Sequence, residues 1–577
     1  MRASAAAVRL CLAMMSGAAA LQAAEFRVTP DMPEAEINKC VSRMRFGDRM
    51  VFAKGEYLLK RHIYVGGRRN VVFEGENGAV LKMHCNPAGS EKESAGGFFI
   101  DNCERVLVRN LRLTTDNPIG CQGTVVGKDP DGNALRFLVD PGFPVTGREH
   151  YFQLNTVDGE GNPDGALGAH VAIHKVDGPE GTEGRYVGMD YELIGERLVR
   201  IGVPKWVSLG SVTNGHRMLV RYFRNGESAF SVVRSADVEL VDIEIEKTTS
   251  VGLGVSPPSR NVRLCRFNIR PAHGSGLYAA SNADGIHILG LMGEFSMVDC
   301  HFRGLGDDAL NIHSMAAEIK SLDSGGKVGL ILRGPDRKTE RKLPGGWAKA
   351  GDRLEIYGQD YSRRGEVDLA SYDDKTCTGI LNVGGAMPRP GDILVNTAFY
   401  PVARIRDCSV VGTRARAFLL QTRGVLIENC LFRGLPSPAI IFAVDFSVWN
   451  EAGPTENAVV SGCRFERCAR SLRNAKLGAI VVKADHDGGE NDRPAGIHRN
   501  VRLVGNTFED CGSCGIYVAS TDGVVLDRNT FVRCSSNPNL YEYCQSDIRL
   551  KNCLNVNLGR NVSDRDCLLS SDPPLKH

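Results

Sequence analysis

Short apolar runs recur along this chain with one grammar. An apolar residue, any residue, an apolar residue and any residue are followed by Asn, Asp or Gly, then Asn or Cys, any residue, and an apolar residue. Early cases are Val106-Val108-Asn110-Leu111-Leu113 and Val238-Leu240-Asp242-Ile243-Ile245. Later ones are Met297-Asp299-Cys300-Phe302, Ile405-Asp407-Cys408-Val410, Ile427-Asn429-Cys430-Phe432, Val460-Gly462-Cys463-Phe465, Leu503-Gly505-Asn506-Phe508 and Leu526-Arg528-Asn529-Phe531. Alternation with period two means a strand with one face turned inward. The polar residues that interrupt it mark tight turns. The register returns after 22 residues between Ile405 and Ile427, 23 between Leu503 and Leu526, and 24 between Leu240 and Leu264. Such a period belongs to repeat architectures. Three short strands per repeat predict an all-β fold, a right-handed parallel β-helix, with rungs about 4.8 Å apart. Leucine-rich repeats have a similar period, but their Leu-x-x-Leu-x-Leu frame and helical segment are missing.

The repeat explains an otherwise unusual cysteine content, 18 in 577 residues. Cys300, Cys408, Cys430 and Cys463 share the slot that Asn506 and Asn529 occupy in later rungs, so they read as ladder filling rather than as a disulfide framework. Cys511 and Cys514 have redox spacing, but they follow a strand in a rung turn and read as structural. Glycine, at 65 residues, marks turns. Lys+Arg of 70 against Asp+Glu of 68 gives a formal charge of +2, which argues against a nucleic-acid binder working through bulk charge.

Two stretches break the period. Residues 121–225 carry hairpin signals at Asp131-Gly132-Asn133, Asp158-Gly159 and Asn214-Gly215, and residues 316–401 carry Ser324-Gly325-Gly326, Gly345-Gly346 and Pro390-Gly391-Asp392. Each is long enough for a small antiparallel β-barrel-like domain. The chain then divides into a leader over 1–24, β-helix over 25–120, an inserted β-domain over 121–225, and β-helix with the acid-bearing rungs over 226–315. A second inserted β-domain follows over 316–401, C-terminal rungs over 402–565, and a tail over 566–577. Arg2 and Arg9, the apolar stretch from Leu10 to Leu21 and the small residues Ala20 to Ala24 read as a secretory signal cleaved near Ala23 or Ala24. Cys11 follows Leu10, not a small residue, which argues against lipoprotein cleavage there. No later stretch has the length of a membrane helix. The expectation is an exported protein, periplasmic or secreted, with no membrane span. Exposed rung ends that need covering are compatible with a homodimer.

The most informative stretch is Asn282-Ala283-Asp284-Gly285-Ile286-His287-Ile288, followed by Gly304-Leu305-Gly306-Asp307-Asp308-Ala309-Leu310-Asn311-Ile312-His313. Aligning Ile286 and Ile288 with Leu310 and Ile312 sets His287 against Asn311 and Asp284 against Asp308, one rung apart. The two carboxylates should point the same way, while Asp307, adjacent to Asp308, should diverge from it. Three acids in a small space repel, so at least one pKa should be raised. Glycoside hydrolysis needs a protonated acid for the leaving oxygen and a charged base for water. The Asp284/Asp308 pair suits the water and Asp307 the acid. Asp129-Asp131 and Asp485-Asp487 read as ordinary turn residues.

These motifs resemble the signature of family 110 glycoside hydrolases, the bacterial α-1,3-galactosidases. The likeness extends to Arg270-Pro271, Trp449-Asn450-Glu451-Ala452-Gly453-Pro454 and Ile497-His498-Arg499-Asn500. A more distant likeness is to family 28 polygalacturonases, which share an Asn-x-Asp and an Asp-Asp on adjacent rungs. The family 110 resemblance implies an exo-acting, inverting, metal-independent enzyme that needs no cofactor and removes terminal α-1,3-linked galactose from blood group B-type or linear glycans. Asp307 would be the general acid and Asp284 with Asp308 the general base pair. His287, Asn311, His313, Trp449 and Glu451 would contact or orient the sugar. Two other readings stay open. One is a polygalacturonase-like hydrolase of acidic polysaccharide; the other is a non-catalytic β-helix that binds carbohydrate or serves as a surface protein.

Overall fold

The computed structural model describes residues 23–86, 94–145, 153–167, 191–203, 208–222 and 226–572, apart from 335, 337, 383, 385–386, 471–476, 485–492, 536 and 538–544. Residues 1–22 of the leader expected over 1–24, and the Asp485-Asp487 pair, lie outside the described residues. The fold is the parallel β-helix that the repeat predicts. Strands stack in register from rung to rung: Val238 on Val106, Val262 on Val238, and farther on Ile427 on Ile405 and Leu526 on Leu503.

The repeated Asn/Asp/Gly slot has a conformational cause. Asn110, Asp242, Asp299, Asp407 and Asn429 have φ of 54° to 57°, as the chain turns from one strand of the rung into the next. Short polar side chains tolerate this left-handed corner better than most. Gly462 and Gly505 occupy it in later rungs, at φ 64° and 67°. The following residue points inward. Cys300, Cys408, Cys430 and Cys463 are buried free thiols, as expected. The ladder then changes chemistry without a break: Cys463 N–H donates to Asn506 Oδ1 at 3.0 Å, and Asn506 N–H to Asn529 Oδ1 at 3.1 Å. Beside it runs a column of stacked rings, Phe432, Phe465, Phe508 and Phe531, with centroids 4.7 to 4.9 Å apart. That is the rung spacing of a parallel sheet. Cys511 and Cys514 are buried among these rungs.

The helix Glu34–Arg43 packs on the first rungs through Ile37 and Val41. No helix among the described residues is long and apolar enough to cross a membrane.

Both insertions are antiparallel. In the second, the strand Leu310–Leu322 leaves its rung and pairs on one side with Lys327–Arg333 and on the other with Ile393–Asn396. Further pairings through Thr378–Leu381, Arg363–Asp373 and Arg353–Tyr357 return to Ile393–Asn396. The ring closes as a six-stranded barrel around Trp347, Leu354 and Leu394. The first insertion is a six-stranded sheet, and among the described residues its edge strands, Gln153–Val157 and Tyr191–Leu193, do not meet. It has its own core around Phe137, Leu154 and Tyr222.

Candidate active site

The register deduced from the sequence holds. Ile286 pairs with Leu310, His287 with Asn311 and Ile288 with Ile312, so Asp284 and Asp308 occupy equivalent bends one rung apart. The next rung belongs to chain beyond the barrel: Leu310 pairs with Phe418, which sets Arg416 above Asp308. Each acid accepts the backbone N–H of the residue above it. Asp308 N–H donates to Asp284 Oδ1 at 3.0 Å, and Arg416 N–H donates to Asp308 Oδ1 at 3.0 Å.

The orientation of Asp307 corrects the alternation argument. It does not diverge: Asp284, Asp307 and Asp308 each bring an oxygen within 4.8 Å of the others. The two adjacent acids stand in the bend between His301–Arg303 and Leu310–Leu322, where the alternation of an extended strand does not apply. Gly306 permits the bend to lie close, since a Cβ there would fall 2.4 Å from the Asn282 carbonyl.

Three cationic or ionisable groups meet this charge. Arg416 clasps Asp308 through Nε at 2.8 Å and Nη2 at 2.6 Å. Arg414 donates to Asp307 Oδ1 at 2.7 Å and also to the Gly306 carbonyl. His287 Nδ1 lies 2.8 Å from Asp284 Oδ2. The three oxygens are close enough to share a cation, and each acid also has a side-chain partner of its own, Arg416, Arg414 or His287. Burial pushes the Asp308 carboxyl up to about 6; Arg416 opposes this, and the two neighbouring acids add to it. The expected raised carboxyl is therefore present, and it is Asp308.

Of the residues expected to contact sugar, His287, His313 and Glu451 form a connected row. His313 Nδ1 lies 3.0 Å from the Ser314 carbonyl, which only accepts, so that nitrogen carries the proton. Burial, with His287 adding to it, drops the His313 pKa to about 3, so its Nε2 offers a lone pair. His287 Nε2, 3.0 Å away, must then donate. The remaining His287 nitrogen faces a carboxylate, so one further proton is shared between His287 and Asp284. Burial works against the imidazolium, but Asp284 outweighs it and the His287 pKa is raised. Glu451 Oε1 lies 3.8 Å from His313, and its Oε2 accepts from Gln421 at 3.1 Å. Burial pushes Glu451 up to about 7. Glu451 arrives here because its short strand pairs antiparallel with Ser314 and Met315 at the root of the barrel. Asn311 is buried beside this row, and its Oδ1 accepts no hydrogen bond. Trp449 is 41 % exposed, at a turn anchored by Asp445.

Arg414, Arg416 and Gln421 escaped the sequence reading. The signal for Arg416 was present: it follows Asp308 by one rung once the barrel is set aside.

Residues 392–561 match the family model "Right handed beta helix region". Along nearly its whole length the chain is similar to alpha-1,3-galactosidase B of Bacteroides thetaiotaomicron, with 22% identity over 97% of this chain and 94% of that one. Alpha-1,3-galactosidase A of Akkermansia muciniphila is 27% identical over 49% of this chain and 46% of its own. The family 28 exopolygalacturonase of Yersinia enterocolitica superposes with a TM-score of 0.38 at 10% identity, covering 92% of this chain and 78% of that one. The chain is therefore a parallel β-helix protein, similar along nearly its whole length to proteins named as α-1,3-galactosidases.

Proposed function

We propose that the chain is an exo-acting, inverting hydrolase of terminal α-1,3-linked galactose, acting on blood group B-type or linear glycans outside the cytoplasm. The convergence of Asp284, Asp307 and Asp308, in a homologue of α-1,3-galactosidases, carries this reading. Asp307 has the most exposed side chain of the three acids, 12 % against 6 % and 1 %, and is placed to give its proton to the leaving oxygen. The C1–O bond breaks, and Arg414 stabilises the carboxylate left behind. A water oriented by Asp284 and Asp308 adds to C1 and passes its proton to that pair. The row from His287 to Glu451, with Asn311 and the exposed Trp449, supplies polar and aromatic contacts for the sugar.

Replacing Asp307 by Asn should lower kcat by about 10²–10⁴-fold, the usual weight of a general acid. Unchanged galactose release would end this assignment. One observation favours a second stereochemical reading. The acids approach within 4.8 Å, closer than the roughly 6.5–9.5 Å of inverting pairs and nearer the spacing of retaining ones. The hydrogen bonds to both oxygens of Asp284 and of Asp308 hold the pair in a fixed orientation suited to positioning a water, which supports inversion. Proton NMR of the first product decides: β-galactose means inversion, α-galactose retention. Release of galacturonate from polygalacturonate, without galactose from α-1,3-galactosides, would replace the substrate reading.

A further inference from the structure

Among the side chains by which the first inserted domain touches the acid-bearing bends, one makes the most contacts, and the sequence motifs do not single it out. Arg221 ends the strand Arg217–Arg221 and is fully buried. Its guanidinium has five N–H groups, and all five are used. Two reach back into the inserted sheet, to Gln153 Oε1 at 3.1 Å and Asn155 Oδ1 at 2.7 Å. One reaches the Ser281 carbonyl at 3.2 Å, in the bend that carries Asp284. The last two reach the Gly304 and Leu305 carbonyls at 3.3 and 2.9 Å, in the bend that carries Asp307 and Asp308. Gln153 extends the tie, its Nε2 donating to the Gly306 carbonyl at 3.3 Å.

None of these acceptors is a carboxylate. Burying a cation against neutral groups is costly, and an apolar side chain would fill the volume at less expense. Burial holds the Arg221 pKa down to about 9, with Arg414 pushing the same way and Asp307 opposing. What a cation of this shape provides, and an apolar group does not, is a planar fork that fixes two backbone bends relative to each other. Those bends set the gap between Asp284 and the Asp307-Asp308 pair.

We propose that Arg221 is a positioning residue: it clamps the two acid-bearing bends in catalytic register and makes the first inserted domain a working part of the active site. The proposal rests on the catalytic reading of the three acids. It predicts that Arg221→Lys, which keeps the charge but loses the fork, lowers kcat about 10²-fold, the weight of a roughly 1 Å misplacement. KM should move less than about threefold, because Arg221 does not reach the sugar. Amide hydrogen exchange gives a readout independent of activity. The Asp307, Asp308 and Gly285 amides, which bridge the bends, should lose protection while those of the Phe465 and Phe508 rungs keep it. If Arg221→Lys does not fold, Asn155→Ala carries the same test from the inserted sheet. Its expected fall is about tenfold, the weight of one hydrogen bond to a charged group. Unchanged kcat with unchanged exchange would overturn the proposal. So would a loss of protection spread evenly over all rungs, since that marks only a structural role. An active Asp307→Asn enzyme, together with selective bend exchange in Arg221→Lys, would uphold the clamp and remove the catalytic reading instead.

Discussion

Glu451 shows how burial sets the protonation of a single group in this site. Its folded pKa, pushed up to about 7, lies above the ordinary 4.5 of an unfolded glutamate. The folded state therefore holds a proton that the unfolded state releases. Its stabilisation is full below about pH 4.5 and is lost as pH rises through about 7. Glu451→Gln removes this dependence. Wild type should lose roughly 3 kcal/mol relative to Glu451→Gln between pH about 4.5 and about 8.5. Paired thermal melts at the two pH values measure it, and parallel shifts would show that Glu451 titrates normally. Asp308 has the opposite consequence for activity. As a member of the base pair it must be ionised, so kcat should fall as pH drops through about 6. The pH–rate profile of the wild type tests that limb.

At the scale of strands and turns, the sequence was most legible where one physical rule governs every rung. Period-two alternation located the strands, and the Asn/Asp/Gly slot marked a turn, whose left-handed backbone the structure then supplied. The Asp284/Asp308 stacking followed from the same register. Alternation misled at Asp307 because the residue stands in a bend, where backbone torsions and not a pleat aim the side chain. Arg416 was hidden for a different reason. The barrel separates it from Asp308 by 108 residues, although the two are neighbours in the ladder. Arg221 had no legible signal at all, since nothing in a lone sequence says which arginine of an inserted sheet faces the parent fold. The ring column gives this scale its own prediction. Phe465, stacked between Phe432 and Phe508, should cost about 3–5 kcal/mol when replaced by Ala, measured by denaturant unfolding. A loss under about 1 kcal/mol would mean the rungs close over the gap.

For the molecule as a whole, near-neutrality fits an uncharged substrate. The formal charge of +2 comes from almost equal numbers of acids and bases, and the charges nearest the proposed chemistry are paired within the protein. Galactoside hydrolysis should therefore change less than about twofold between about 0.05 M and about 0.5 M salt, where charge steering toward an acidic polysaccharide would be screened. The interrupted ladder also has a consequence in time. The carboxylates of Asp307 and Asp308 leave the ribosome before the guanidinium groups that balance them, Arg414 and Arg416, which follow 107 and 108 residues later. At roughly 5–20 residues per second, the nascent acids wait on the order of 5–20 s for their partners. Synthesis must pass through the whole barrel before these two ion pairs can form, so the acid-bearing rungs cannot be completed until the chain beyond the barrel has emerged.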